Sequence, residues 1–182
     1  HETEIVLKPA AQKKRIAVVG AGPAGLSAAT TLAERRHAVT IFEAAGEIGG
    51  QFNMAKRIPG KEEFHETLRY WAHEVDDSGV HLHLNTPVDA ATLAADAPDA
   101  VVLATGVTPR DPRIPGQDHP KVLRYLDVLR GAPVGGRVAV VGAGGIGFDV
   151  AEYLTHEGRS TALDLPAWLQ EWGVTDPALA RG

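Results

Sequence analysis

Cysteine is missing altogether from the 182 residues. That absence removes disulfides, thiolate zinc sites, cysteine nucleophiles, CxxC redox pairs and iron–sulfur ligation from this chain. Aromatic residues are scarce at 5%, so the core must be built from Ala, Val, Leu and Ile. Positive charge is in deficit, with Lys+Arg 18 against Asp+Glu 23 and a net charge of −5. A mildly acidic chain lacks the basic excess that drives non-specific nucleic-acid binding, and no nucleic-acid partner is expected. Long apolar runs are lacking too: none approaches the ~20 residues needed to cross a bilayer. No signal peptide is visible, so the expectation is a cytoplasmic protein without a membrane span.

Glycine is abundant, with 20 residues, and it is not scattered. Gly20, Gly22 and Gly25 punctuate VVGAGPAG, and Gly142, Gly144 and Gly147 punctuate VVGAGGIG. Both triplets have GxGxxG spacing, and each follows a four-residue apolar run, Ile16 to Val19 and Val138 to Val141. Such runs suit strands buried on both faces of a parallel sheet. Helical periodicity follows each turn, through Leu26, Ala29, Thr30, Leu32 and Ala33 in the first case. In the second, Phe148, Ala151 and Leu154, or Ile146, Val150 and Tyr153, mark alternative faces. Strand, glycine turn and helix thus occur twice, 122 residues apart.

The intervening chain also reads as α/β. Ala38 to Phe42, Val80 to Leu84 and Ala100 to Ala104 have strand character, and Lys61 to Asp77 is an amphipathic helix stopped near Gly79. Thr92 to Ala95, Leu126 to Leu129 and Pro166 to Trp172 suggest short helices. Pro109, Pro112, Pro115 and Pro120 crowd a crossing segment that marks a domain boundary. The predicted class is α/β, a Rossmann-like parallel sheet followed by the start of a second, inserted domain. The divisions are a lead-in over 1–14, a dinucleotide-binding domain over 15–116, and a linker with the opening of another over 117–182.

Glycines at this spacing serve phosphate binding. The first permits a tight turn, the second admits the backbone close to a pyrophosphate, and the third allows helix and strand to pack closely. The helix then presents free N–H groups and a partial positive charge to the phosphates. The first copy has a further support, because Glu43 ends the next strand 23 residues after Gly20. A carboxylate there binds ribose hydroxyls and repels a 2′-phosphate, which suits FAD or NAD rather than NADP. After the second copy, Asp164 lies 22 residues beyond Gly142 in a segment without clear strand character, so coenzyme choice there is not legible.

Glu43 to Gln51 resembles the E-x(6)-G-G pattern of two-dinucleotide flavoproteins, whose paired glycines bring the chain over the flavin-bearing part of FAD. Ala104-Thr105-Gly106, with Pro109-Arg110 and Ile114-Pro115-Gly116, is similar to the motif by which a strand leaves the FAD domain of that family. A narrower resemblance covers nearly the whole chain. EIGGQFNMAKRIPGKEEFHETLRYW (Glu47 to Trp71), HPKVLRYLDVL (His119 to Leu129), GGIGFDVAEYL (Gly144 to Leu154) and EWGV (Glu171 to Val174) resemble the bacterial iron–sulfur flavoprotein 2,4-dienoyl-CoA reductases. Enoate reductases and trimethylamine dehydrogenase share that architecture.

The resemblance implies a flavin-bearing TIM barrel and an iron–sulfur cluster upstream, with His1-Glu2-Thr3 similar to the sequence just beyond the cluster cysteines. It also implies continuation past residue 182, making this chain a middle piece, an incomplete FAD domain plus a truncated NAD(P)H domain. The implied activity is an electron relay from NADPH (or NADH) through FAD to the cluster and to FMN, where an enoyl-CoA is reduced. The chain alone would be inactive and would retain flavin poorly. FAD contacts implied are Gly20, Gly22, Ala24 and Gly25 at the pyrophosphate, Glu43 at the ribose, Val88 at adenine, Thr105 and Gly106 along the cofactor, and Gly50, Gln51 and Lys61 toward the flavin. Gly142, Gly144, Gly145, Ile146 and Gly147 would hold NAD(P)H. No catalytic residue and no metal ligand is assigned. The competing function is a non-catalytic ADP-binding module of a trimethylamine-dehydrogenase-like protein.

Simpler readings cover other residues. His65 and His73 lie eight apart, about 80° around a helix, and His81 and His83 share a strand face without a third ligand. Lys13-Lys14-Arg15 is a solvated lead-in, and Trp168 and Trp172 share an i,i+4 face suited to packing. Ser27 and Ser160 have no Ser-His-Asp arrangement.

Overall fold

The computed structural model describes residues 4–175 and residue 178. His1-Glu2-Thr3, likened above to a post-cluster sequence, lie outside the described residues. The chain divides into two compact units: residues 1–52 with 67–109, and residues 53–66 with 110–182.

The first unit is built on a parallel sheet of four strands: β1 (Arg15–Val19), β2 (Ala38–Phe42), β3 (His81–His83) and β4 (Ala100–Leu103), in the order β3-β2-β1-β4. β1 is central because both its edges are paired, Arg15–Val19 with Ala38–Phe42 and Ile16–Val19 with Ala100–Leu103. Its short apolar side chains fit a strand covered on both faces, and Ala17 and Val18 are fully enclosed. Parallel strands need a crossover, and α1 (Pro23–Glu34) supplies the one from β1 to β2. α3 (Phe64–Ser78), counted after the single-turn α2 (Phe52–Ala55), leads from the loop region to β3, and α4 (Ala90–Asp96) leads to β4. The core is Ile16, Val18, Ala21, Leu26, Ala29, Val39, Ile41, Val75 and Val80. It contains no aromatic ring, as the composition requires; Trp71 packs only against its margin.

α3 begins three residues later than its periodicity suggests. Lys61, Glu62 and Glu63 carbonyls accept from the amides three residues on, a tighter winding than an α-turn. α4 has a side-chain cap: Asp89 accepts from the Thr92 amide at 2.8 Å. That N–H holds the Asp89 carboxyl below its usual range.

The second unit holds α5 (Tyr125–Leu129), α6 (Gly145–Thr155) and α7 (Leu165–Trp172). Its buried residues are Ile58, Val128, Leu129 and Val150, together with one polar side chain, Asn53. The expected strand Val138–Val141 is not formed. A strand exists only through hydrogen bonds to a neighbour, and the described residues of this unit contain none. Val138, Val140 and Val141 are accordingly exposed. Of the two helical faces weighed for α6, the inner one centres on Val150, while Ile146 and Phe148 face outward. Among the described residues no helix is long and apolar enough to cross a membrane, and no group of His, Cys, Asp or Glu could hold a metal ion.

Candidate functional site

The first glycine turn joins β1 to α1. Gly20 has φ +104, and a Cβ there would lie 2.4 Å from the Ala104 carbonyl oxygen. A Cβ on Gly25 would lie 1.9 Å from the Gly20 carbonyl oxygen. These two glycines are therefore demanded by packing. Gly22 differs: its φ is −76 and an added Cβ would meet nothing closer than Gly50 Cα at 4.0 Å. Glycine at this position leaves room for a ligand rather than for the protein, as phosphate approach requires.

α1 is left open at the same point. Its N-cap, Gly22, provides no side-chain acceptor, Pro23 opens the first turn, and that turn holds no acid. By contrast, Asp89 caps α4 and Asp164 caps α7. Uncapped first-turn amides remain available to an anion, and the aligned peptide dipoles favour one.

The acid at the end of β2 lies at this turn. Glu43 Oε2 accepts from the Ala21 amide at 2.6 Å, and Oε1 accepts from the Ala45 amide at 2.8 Å. A carboxylate oxygen has more than one lone pair, so each oxygen keeps acceptor capacity for a ribose hydroxyl. The paired glycines come to the turn as well. Gly49 donates to the Ala21 carbonyl at 2.7 Å, and a Cβ on Gly50 would stand 3.1 Å from Gly22 Cα. Ala21 thus has both backbone groups consumed, one by Glu43 and one by the flavin-side loop. That role was not legible in the sequence, since any small residue would read the same.

The remaining predicted residues of this unit are spread around the same strand ends. Ala24 and Gln51 are exposed, as are Thr105 and Gly106 just beyond β4, and Val88 is half-buried ahead of α4. Gly106 has φ +74 with open space around it. The segment carrying Val88 is tied back by Thr86, whose amide donates to the Glu43 carbonyl at 2.8 Å. His83, one of the histidines considered for a metal, instead stacks on Phe42 with centroids 5.5 Å apart.

The second turn shares the glycine geometry of the first, without a packed neighbour at its first glycine. Gly142 has φ +120, a Cβ on Gly147 would lie 2.3 Å from the Gly142 carbonyl oxygen, and Gly144 and Gly145 have open space around them. Gly144 caps α6 without a side chain, and the first turn again lacks an acid. Gly145 and Ile146 open that helix, with Ile146 exposed.

The family model described as pyridine nucleotide-disulphide oxidoreductase matches residues 14–164, a span that includes both turns. The chain belongs to the pyridine nucleotide-disulphide oxidoreductase family. The NADH oxidase of Thermoanaerobacter brockii is 38% identical over 163 residues, 86% of this chain and 25% of that protein. The bilirubin reductase of Mediterraneibacter gnavus is 36% identical over 159 residues, 87% of this chain and 25% of that protein. Among solved structures, a 2-naphthoyl-CoA reductase complex superposes with a TM-score of 0.79 at 34% identity, covering 93% of this chain and 27% of the other. The chain spans about a quarter of the length of these relatives.

The family is one of FAD- and NAD(P)-binding domains, and the two cradles fit those groups. Each leaves open, at its second glycine, the space that a side chain would fill, and each ends on uncapped helix amides. The disulphide in the family's name has no counterpart in this cysteine-free chain. Lys61, expected toward the flavin, lies in the second unit of this family member, where its ammonium donates to both carboxylate oxygens of Asp149 at 2.7 Å. Asp149 was not foreseen as a partner. It is 88 residues away, and no local pattern joins the two.

Proposed function

We propose that this chain is the FAD- and NAD(P)H-binding part of a larger reductase of the 2,4-dienoyl-CoA reductase type. The observation that carries the reading is the duplicated cradle: in each turn the first glycine holds a positive φ, the third is packed under the first glycine's carbonyl, and the second faces open space. Two such cradles on one chain call for two dinucleotides. Glu43 at the first disfavours a 2′-phosphate and matches FAD, which leaves NADPH or NADH for the second.

When bound, the two cofactors supply the electron-transfer chemistry, and the protein supplies position and electrostatics. Gly22 and the α1 amides receive the FAD pyrophosphate, and Glu43 accepts the ribose hydroxyls while still bracing Ala21 and Ala45. The Gly49–Gly50 loop, seated on Ala21, brings Gly50 and Gln51 toward the flavin. Gly144 and the α6 amides receive the phosphates of the nicotinamide coenzyme.

The wider assignment covers an upstream TIM barrel with FMN, an iron–sulfur cluster, and a cytoplasmic enoyl-CoA reductase activity. It is supported by the loop sequences around Glu47 to Trp71 and by the likeness to a reductase whose named ligand is an aryl-CoA thioester. The test is to purify the protein with its flanking chain and add NADPH anaerobically. A yellow protein that loses its flavin absorbance, and then reduces a conjugated enoyl-CoA, is expected. A colourless protein retaining only ADP would overturn the oxidoreductase reading in favour of a nucleotide-binding module.

A further inference from the structure

Residues 53–66 follow the flavin-side loop in the chain, yet they form part of the unit that carries the second glycine turn. Four features fasten them there. Ile58 is 4% exposed, one of the four buried apolar side chains among the described residues of this unit. Arg57 donates to the Leu129 carbonyl at 2.6 Å, and the Gly60 amide donates to Ser160 Oγ at 3.2 Å. Lys61 closes the set on Asp149.

Asp149 stands four residues past Gly145, about 6 Å along the helix at 1.5 Å per residue. It is therefore the carboxylate of α6 closest in sequence to the end that receives coenzyme phosphates. Unpaired, that charge would repel a dinucleotide pyrophosphate through a partly shielded path. The Lys61 ammonium is bound to both its oxygens, and the two side chains are 40% and 27% exposed, so the pair is only partly screened by solvent.

We infer that Lys61 is a positioning residue for the second dinucleotide site: it neutralises Asp149 and seats α6 so that its N-terminus accepts NAD(P)H. This rests on the reading that the second turn binds NAD(P)H. It gives Lys61 a role in coenzyme affinity.

The test compares the FAD-loaded protein with its flanking chain against its Lys61→Met, Asp149→Asn and double variants. NADP+ and NAD+ binding is read at equilibrium by calorimetry, because the oxidised coenzymes cannot reduce the flavin and affinity is measured apart from electron transfer; anaerobic addition of NADPH reads flavin reduction separately. Lys61→Met strands the Asp149 carboxylate and weakens coenzyme binding roughly tenfold at low salt, shrinking to under about threefold in 0.5 M salt. Asp149→Asn alone leaves affinity unchanged or tighter. In the double variant the stranded charge is gone, and affinity returns to within about threefold of native. FAD content stays constant across the series. Lys61→Met binding as tightly as native, or a double variant as weak as Lys61→Met, overturns the inference. Normal binding without flavin reduction overturns the oxidoreductase reading alone, and a native chain that binds neither coenzyme overturns both.

Discussion

The two glycines Gly22 and Gly25 stand three residues apart in one turn, and alanine at each should have opposite consequences. At Gly25 the new methyl would sit 1.9 Å from the Gly20 carbonyl oxygen. An ordinary C···O contact is about 3.3 Å, so turn and helix would have to part by roughly 1.4 Å. Overpacking of this kind costs typically 1–3 kcal/mol, and a rigid backbone obstacle places this case at about 3 kcal/mol. For a chain of this length that lowers Tm by roughly 6–12 °C. At Gly22 the backbone is one that alanine adopts freely, and the methyl touches nothing nearer than 4.0 Å. Stability should stay within about 1 kcal/mol of native, aided by the lower entropy of the unfolded chain. Affinity for FAD should suffer instead, because the methyl holds the pyrophosphate off the amides. One charge-assisted hydrogen bond lost, about 1.5–3 kcal/mol, is a loss of roughly 10- to 100-fold. Ligand-free thermal melts and FAD fluorescence titrations separate the two effects. Native FAD affinity in Gly22→Ala, or a native melting temperature in Gly25→Ala, would refute the division of labour within the turn.

Other substitutions extend the same reasoning. Gly144→Ala, with open space around it, should weaken NAD(P)H binding by a similar factor while leaving FAD affinity and melting temperature unchanged. Glu43→Gln keeps only one acceptor oxygen for the Ala21 and Ala45 amides, so FAD binding should fall at least about tenfold by titration. Ile58→Ala should cost about 2–4 kcal/mol in urea unfolding, as expected for a buried branched side chain. Asp89 titrates below its usual range when folded, because it accepts from Thr92. Its stabilisation is therefore present above the ordinary carboxylate pKa and lost as pH falls through the lower folded value. Melts of Asp89→Ala should lie below native near neutrality and converge with it in acid.

What could be read from the sequence was what is decided locally. A glycine that needs φ +104 or +120, and one that must pass under a carbonyl, impose their identity at fixed spacing, so both turns were legible. So were β1 and β2, where a short apolar run lies beside a helical period. Val138–Val141 has the same composition as a buried strand, yet it pairs with nothing among the described residues, because pairing is a property of two segments and not of one. α2 spans four residues and leaves no periodicity to detect. The partner of Lys61 lies 88 residues away, and only the folded second unit brings it within reach.

The central claim is that one chain holds two dinucleotides at two separate cradles. It is tested most directly by titrating the protein with its flanking chain, native and as Gly22→Ala and Gly144→Ala, with FAD and an oxidised nicotinamide coenzyme together. The expected result is two ligands that bind without competing, with FAD affinity lost in the first variant and coenzyme affinity in the second. Mutual competition for a single site, or loss of both ligands in either variant, would contradict it.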